Sequence, residues 1–555
     1  MIKLVARILK DILKEEKINL KKEEIKDIIE IPPSLEMGDY AFPCFILAKK
    51  LKKSPIQIAK DLKEKIKSKD FERIESSGPY INFFVNRTKL AENLIKEILD
   101  KKNNFGKTNL GKGKKALIEH TSINPNASPH VGRARNAIIG DSIVKILRFI
   151  NFKPEVHYYV NDVSKQIAML VLANAEKLKF KDMLKRYISI SKKVENSKEL
   201  EKKVFKLLYK FEKKDKEVTK RFKKITDICI TGQEKILSEL EIHYDFFDYE
   251  SKYLDTSKKI LSQLKKTKKL FIDKDKRFVL DQKGTSVENK MKSPVLVLTR
   301  ADGTGLYPLR DIVYTIEKLK KAEKNIIILG EDHKLYFQQL KETLKLLGFN
   351  SPEVIYYSFI MLSEGEKSKK MSTRKGDVIL LEDFLKKSIN KAKKEIFKRK
   401  TKGDPKKIGI GAIKYAILKN NPNKSILFNL NEALNFEGNA GPYILYSYAR
   451  ASSILRKVKN KKNKSKTLKL ESKEIELVKK LSEFPDIVLN SYKNLNPSLI
   501  ANYSYQLAQT FNEFYHSCPV IGSSKESFRL LLVKSFRQVL KNSLSLLGIE
   551  TIEEM

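Results

Sequence analysis

Cysteine is scarce in this chain, and its few cysteines lie far apart. Cys44, Cys229 and Cys518 are the only three among 555 residues, and no two have the short spacing of a metal-binding pair. This pattern argues against a zinc site and against a disulfide framework, and it is typical of a reducing compartment. We therefore expect no bound zinc or other structural metal, and a cytoplasmic protein.

Long apolar runs and acidic residues are also in short supply. No run of about 18 apolar residues occurs, so we expect no membrane-spanning helix and no membrane partner. The first seven residues lack the apolar core of a secretory signal. The 68 acidic residues are outnumbered by 112 Lys and Arg, for a net charge of +44. This excess suits a polyanionic partner such as nucleic acid, although a lysine bias spread over solvated helix faces would give the same charge.

The chain is too long for one hydrophobic core, and its patterns predict three regions. Residues 1–105 form a compact unit that mixes helix and strand, with a helix near 46–62. Residues 110–407 alternate strand and helix, as parallel sheets do, and carry a Lys- and Glu-rich helical insertion at 170–240. From 408 to 555 only helical patterns occur. The strands predicted for the sheet are 116–119, 155–160, 295–298, 325–329 and 353–357.

His130 opens the most informative segment, residues 129–136, at the point where a predicted strand turns into a predicted helix. Apolar residues at helical spacing follow it, beginning with Ile139 and Ile143. Backbone N–H groups at a helix start point outward, and the helix dipole favours an anion there. The segment therefore predicts a phosphate-binding site.

A second polar, basic segment follows about 240 residues later, at 370–377. In this order the two segments resemble the HIGH and KMSKS signatures of class I aminoacyl-tRNA synthetases. The resemblance implies that ATP lies against the helix start, where Gly132 leaves room for the adenine ring and His130 donates to a phosphate oxygen. Loop cations would clamp the triphosphate during attack on the α-phosphorus. The implied catalytic and ATP-binding residues are His130, Gly132, Arg133, Lys370, Met371, Ser372, Arg374 and Lys375.

Two positions depart from these signatures. Arg133 stands where the second His of the first signature would be, and Thr373 stands where the second Lys of the loop would be. Arg133 replaces a titratable donor with a permanent cation. The division of phosphate contacts among the cations is therefore open.

Longer strings resemble the arginyl-tRNA synthetase family over nearly the whole chain: 38–41, 47–49, 119–125, 135–141, 371–376, 436–443 and 511–516. The resemblance implies an α/β class I catalytic domain with a Rossmann-like parallel sheet at 110–407. It also implies an N-terminal additional domain that contacts tRNA at 1–105 and an α-helical anticodon-binding domain at 408–555.

The chemistry of arginine agrees with several acidic positions. A guanidinium is a planar cation with five donors that pairs best with carboxylates. Tyr307 and Asp311 are four residues apart, which places both on one face if the segment is helical, with Pro308 in its first turn. The resemblance implies that both bind the substrate side chain and that Glu250 is a second guanidinium-binding carboxylate. It also implies that Asn124 holds the α-amino end, with support from Glu119.

The resemblance implies an arginine–tRNA ligase. Such an enzyme activates L-arginine with ATP, accompanied by Mg²⁺, and transfers the arginyl group from the adenylate to the 3′ end of tRNA(Arg). Its partners would be tRNA(Arg), L-arginine and ATP, and we expect a monomer. A cysteinyl or glutamyl enzyme is disfavoured by the missing zinc-type cysteines and by the paired acids, respectively. A basic RNA-binding protein on an inactive synthetase fold is favoured only by Arg133 and Thr373.

Overall fold

The computed structural model describes residues 2–68, 70–364, 367–369, 379–458 and 469–555. The chain forms two compact units. The first contains Met1–Asp100, Lys461–Lys479 and Phe514–Leu532. The second contains Lys101–Asn460, Lys480–Glu513 and Val533–Met555.

The N-terminal residues of the first unit build a small antiparallel sheet with helices. The sheet has the order β1-β3-β2, and its strands are β1 (Tyr40–Pro43), β2 (Phe71–Ser77) and β3 (Tyr80–Val85). The helices are α1 (Ile2–Glu15), α2 (Lys22–Ile28), α3 (Ala48–Leu51), α4 (Pro55–Lys65) and α5 (Arg87–Lys101). The single helix predicted near 46–62 is in fact two, because Lys52 adopts a left-handed φ of 51° and Ser54 caps a new helix at Pro55.

The main sheet of the second unit is parallel and has five strands in the order β11-β10-β4-β5-β6. Its strands are β4 (Lys115–Thr121), β5 (Lys153–Val160), β6 (Phe246–Tyr249), β10 (Lys324–Gly330) and β11 (Glu353–Tyr357). The helix α6 (Val131–Phe149) connects β4 to β5 and packs closely on β4. At Gly140 a Cβ atom would lie 2.1 Å from that of His120, so only glycine allows this approach. The predicted Rossmann-like sheet is confirmed.

Two three-stranded sheets stand apart from the main one. They consist of β7 (Leu270–Ile272), β8 (Phe278–Asp281) and β9 (Val295–Val297), and of β12 (Ile360–Glu364), β13 (Lys367–Lys369) and β14 (Ile426–Phe428). The prediction that 295–298 belongs to the main sheet is therefore wrong, because β9 pairs antiparallel with β8. Likewise β14 is a strand that pairs with β12, so helix does not account for everything after residue 408.

The segment predicted as an insertion, residues 170–240, is helical as expected. It contains α7 (Lys165–Leu172), α8 (Phe180–Glu195), α9 (Lys198–Glu212) and α10 (Lys216–Ser238). The helices that follow up to residue 418 are α11 (Thr256–Lys266), α12 (Tyr307–Lys321), α13 (Lys334–Leu346), α14 (Leu381–Lys398) and α15 (Pro405–Leu418). The last helices are α16 (Leu430–Ala433), α17 (Gly441–Lys457), α18 (Ser472–Ser482), α19 (Phe484–Lys493), α20 (Ser498–Ser517) and α21 (Glu526–Leu546).

Candidate active site

A cavity of about 280 Å³ lies at the carboxyl ends of the main sheet. The strands β4 and β10 are neighbours in this sheet. From β4 the chain continues through β5 to β6 at one edge, whereas from β10 it continues to β11 at the other edge. Open α/β sheets bind ligands at such a switch point, outside the carboxyl ends of the strands. The lining residues are Glu119, Ser122, Asn124, Arg133, Tyr159, Asn161, Glu250, Tyr307, Asp311, Ile327, Leu329, His333, Tyr336 and Phe337.

Six residues chosen from the sequence share this cavity: Glu119, Asn124, Arg133, Glu250, Tyr307 and Asp311. Tyr307 begins α12 with Pro308 in its first turn, as predicted, and Asp311 follows one turn later. His130 is the residue before α6, and Gly132 lies in the first turn of α6 beside Arg133. The predicted loop residues Lys370, Met371, Ser372, Arg374 and Lys375 lie outside the described part of the chain.

The backbone at the start of α6 is paired with the segment that follows this loop. The N–H of Val131 donates to the carbonyl oxygen of Ile379 at 3.0 Å, and the N–H of Leu381 donates to that of Pro129 at 2.8 Å. His130 and Leu380 form an antiparallel bridge between these two bonds. The carboxyl-terminal flank of the predicted loop is therefore held directly against His130.

The His130 side chain is a neutral group in the free protein at pH 7. Burial, with a smaller contribution from the Arg133 charge, lowers the pKa of His130 to about 4. Its Nδ1 atom is buried and has no hydrogen-bond partner among the described residues. A neutral imidazole at a helix start can donate one hydrogen bond to an incoming phosphate oxygen.

Asp311 differs from the two other carboxylates of the cavity, because it has no cationic partner among the described residues. Its Oδ2 accepts the Tyr336 hydroxyl at 2.6 Å, and its Oδ1 accepts a long bond of 3.4 Å from Thr315. The ring of Tyr336 also contacts that of Tyr307, with centroids 4.9 Å apart. Neutral donors therefore orient the carboxylate while its charge remains uncompensated.

Glu250 and Glu119 each already hold an internal cation. Arg310 Nε donates to Glu250 Oε1 at 2.6 Å, and both side chains are buried. Burial raises the pKa of Glu250 to about 7, an effect that the Arg310 charge opposes. Glu119 accepts a hydrogen bond from the buried Lys318, and burial raises its pKa as well. No sequence pattern indicated these two cationic partners. The Arg310 bond leaves Glu250 with one oxygen for a ligand.

Three buried polar atoms of residues that line the cavity lack hydrogen-bond partners among the described residues. They are Glu250 Oε2, Asn161 Oδ1 and the Tyr159 hydroxyl oxygen. Buried polar groups are rarely left unpaired, so these atoms indicate a ligand that brings several donors. The resemblance placed a further substrate contact around residues 330–333 without singling out one residue, and His333 of that segment lines the cavity. Sequence reasoning missed Tyr159, Asn161 and Tyr336. Their only signal was position, since Tyr159 lies near the end of β5, Asn161 directly follows it, and Tyr336 follows β10.

Arg135 connects the helix that begins at this site to two other segments. It is fully buried in α6 and donates to the carbonyl oxygens of Ser358, Phe359, Asn421 and Lys424, at 2.6, 3.4, 3.2 and 2.7 Å. Burial lowers its pKa to about 10, so the guanidinium remains charged at neutral pH. The segment that leads into β12 is therefore fixed to α6.

The part of the chain that the structure describes contains neither a metal-binding cluster nor a membrane-spanning helix. No group of three or more His, Cys, Asp or Glu side chains there is arranged to hold a metal ion. In the same residues, every helix is too short or too polar to span a bilayer.

Three family models match this chain over consecutive segments. The model described as arginyl tRNA synthetase N terminal domain matches residues 2–85. The model described as tRNA synthetases class I (R), catalytic domain, matches 94–430. The model described as DALR anticodon binding domain matches 444–555. The catalytic-domain match thus includes β14.

Curated relatives and a solved structure agree with these models. The chain is 40% identical over 558 residues to the arginine–tRNA ligase of Methanocaldococcus jannaschii, covering 96% of both chains. It is 36% identical over 565 residues to that of Clostridium kluyveri, covering 97% of this chain and 98% of the relative. The arginyl-tRNA synthetase of Thermus thermophilus has a similar fold, with a TM-score of 0.79 at 24% identity over 100% of this chain and 99% of that one. This chain therefore belongs to the arginyl-tRNA synthetase family.

Proposed function

We propose that the cavity at the carboxyl ends of the main sheet is where this chain, an arginine–tRNA ligase, binds the side chain of L-arginine. The proposal rests on the unpaired negative charge and the unpaired hydrogen-bond acceptors of this cavity. Asp311 has no cationic partner among the described residues, and Glu250 Oε2 and Asn161 Oδ1 have no hydrogen-bond partner there. A guanidinium supplies one positive charge and five donors, so it would satisfy all three groups.

Arginine would lie between two ends of the cavity. Asp311 and Glu250 would hold the guanidinium, with Tyr307 beside it. Asn124, which lies just after β4, would hold the α-amino group, with support from Glu119 near the end of that strand. The carboxylate of arginine would then point towards Arg133 and the start of α6. This orientation is the one that activation requires, because the start of α6 is the predicted phosphate site.

The chemistry needs no nucleophile from the protein. The arginine carboxylate attacks the α-phosphorus of ATP and displaces pyrophosphate, and a terminal ribose hydroxyl of the tRNA then attacks the adenylate and releases AMP. His130, Gly132 and the start of α6 would hold the nucleotide, and Arg133 would stabilise developing phosphate charge. Lys370, Met371, Ser372, Arg374 and Lys375 would reach the same phosphates, because the flank of their loop pairs with Val131. Mg²⁺ would enter as the counter-ion of ATP.

We further infer how the regions divide the work. Residues 1–105 would contact tRNA, residues 110–407 would carry the chemistry and residues 408–555 would bind the anticodon. The chain would act as a cytoplasmic monomer. Its three cysteines are free and buried, which suits a reducing compartment. Sedimentation of the purified protein measures the oligomeric state directly.

One assay tests the proposed function against its rivals. ATP–pyrophosphate exchange is measured with each amino acid in turn, with and without tRNA(Arg). We expect exchange with arginine and with no other amino acid. Exchange with another amino acid would identify a different synthetase, and its absence with all amino acids would indicate an RNA-binding protein on an inactive fold.

A further inference from the structure

The helix α12 presents two rows of side chains near the cavity proposed to bind arginine, and each row has a spacing of four residues. Tyr307 and Asp311 form the first row and line the cavity. The second, the donor row, consists of Arg310, Tyr314 and Lys318, which are buried and do not line the cavity. Residues four apart lie on the same face of a helix, so the donor row runs beside the row that faces the substrate.

Each member of the donor row donates to a buried carboxylate on or just after a strand of the main sheet. The three pairs are Arg310 with Glu250, Tyr314 with Asp248, and Lys318 with Glu119. Asp248 lies in β6 and Glu250 directly after that strand, whereas Glu119 lies in β4. The row spans about 12 Å of helix, and a rotation of α12 by a single residue, about 100°, would break all three bonds. The donor row therefore fixes both the rotation and the height of α12 on the sheet.

Tyr314, the middle member of the donor row, makes three different contacts. Its hydroxyl donates to Asp248 Oδ2 at 2.9 Å. Its ring stacks on that of Tyr159, a residue of the cavity lining, with centroids 4.7 Å apart. The Lys318 ammonium lies 4.1 Å from the centroid of the same ring, where a cation is attracted by the π-system. Tyr314 thus joins α12, β6 and the wall of the cavity.

Asp248 is a firmly held acceptor for the Tyr314 hydroxyl. His157 of β5 is buried on its other side, with Nδ1 2.6 Å from the same Oδ2 atom. Burial would raise the pKa of Asp248, but hydrogen bonds from His157 and Tyr314 outweigh burial and lower it. His157 is held in turn by Glu155, whose Oε1 lies 2.9 Å from Nε2, and by the ring of Phe246, with centroids 5.0 Å apart. The acceptor is therefore an anion that both neighbouring strands keep in place.

We infer that Tyr314 is a positioning residue for the arginine substrate and acts through its bond to Asp248. The inference rests on the proposed function, in which Asp311 and Glu250 hold one guanidinium between them. Because α12 carries Asp311 and Glu250 follows β6, the separation of these two carboxylates depends on how α12 lies on β6. The other two bonds of the donor row end on Glu250 and Glu119, which are proposed substrate contacts themselves. The Tyr314 bond can therefore be removed while every proposed substrate contact keeps its own side chain.

A displaced α12 affects arginine and leaves ATP alone. The nucleotide is proposed to lie at the start of α6, a different element from α12. A misplacement of about 1 Å can cost about 100-fold in catalysis, so a small displacement is measurable. A tyrosine with only a structural role behaves differently. Loss of its hydroxyl would lower the melting temperature and the amount of active enzyme, and would leave the KM values for arginine and for ATP as they are.

The test replaces Tyr314 by phenylalanine, which keeps the ring on Tyr159 and removes only the hydroxyl. Tyr503→Phe is the matched control, because the buried Tyr503 of α20 also donates over 2.9 Å, to the carbonyl oxygen of Lys480. Asp248→Ala removes the same bond from its other side, and the Tyr314→Phe/Asp248→Ala double variant completes a mutant cycle. The KM and kcat for arginine and for ATP are measured by pyrophosphate exchange in the presence of tRNA(Arg).

We expect Tyr314→Phe to raise the KM for arginine about tenfold and to leave the KM for ATP unchanged, whereas Tyr503→Phe changes neither. The double variant should have the arginine KM of Asp248→Ala alone, because Tyr314 acts through Asp248. The inference would be overturned by an arginine KM within about twofold of wild type in Tyr314→Phe, by equal rises in the KM of arginine and of ATP, or by additive effects in the double variant. A wild-type protein without arginine-dependent exchange would instead contradict the proposed function.

Discussion

Replacement of Asp311 by Asn isolates the charge that the proposed arginine site depends on. Asn can still accept the Tyr336 hydroxyl, which lies 2.6 Å from Asp311 Oδ2, and its amide group can face the Thr315 hydroxyl. The side chains therefore keep their positions while the negative charge disappears. Because a buried guanidinium would lose its uncompensated counter-charge, a loss of roughly 2–5 kcal/mol in binding is expected. That corresponds to a decrease of about 30-fold to several thousand-fold in kcat/KM for arginine.

The assay is pyrophosphate exchange in the presence of tRNA(Arg), with arginine varied and ATP saturating. Citrulline, a neutral isostere of arginine, serves as a competing ligand, and its inhibition constant should change little in the Asp311→Asn variant. Glu317→Gln, on the same helix but outside the cavity, is the matched control and should behave as wild type. An arginine KM within threefold of wild type, with unchanged kcat, would refute the assignment of Asp311. So would an equal loss of affinity for arginine and citrulline, because the effect would then not be one of charge.

Three further outcomes follow from the site. The kcat/KM for arginine should rise with pH through about 7, because Glu250 then loses its proton and gains the charge that attracts a guanidinium. Glu250→Gln should flatten this rise, and a variant with the wild-type pH profile would assign the ionisation to another group. Arg310→Met should lower the free energy of unfolding by about 3–5 kcal/mol in urea denaturation, because Glu250 is left buried and uncompensated. Adding Glu250→Gln should restore part of this stability, and a decrease in the free energy of unfolding of less than about 1 kcal/mol would contradict the pairing of Arg310 with Glu250. His130→Ala should lower kcat of pyrophosphate exchange by about 10²–10³-fold with an unchanged melting temperature, whereas normal exchange would remove His130 from the site.

The sequence was sufficient for features with a local signal. The strand before His130 and the helix after it are visible in apolar spacing, and the four-residue step from Tyr307 to Asp311 already implied one helix face. Each of these patterns is determined by neighbouring residues, so a linear reading finds it. The switch point was not among these predictions, because it depends on the order of the strands in the folded sheet.

Features that depend on tertiary pairing were out of reach. Arg310 and Glu250 are 60 residues apart, and no local pattern distinguishes their ion pair from two solvated charges. Residues 295–298 were assigned to the wrong sheet because a short apolar run does not reveal its partner strand. The strand β6 has only four residues, which is too short for its alternation to be recognised.

The hydrogen bonds of Arg135 have a consequence for sequence drift. All four of its acceptors are main-chain oxygens, which every amino acid possesses, so substitutions at positions 358, 359, 421 and 424 cannot delete the acceptor groups. These four bonds between α6 and the two segments therefore depend on a single side chain. Substitutions in the side chains of the two segments leave the four acceptors in place, whereas loss of Arg135 would remove all four bonds at once.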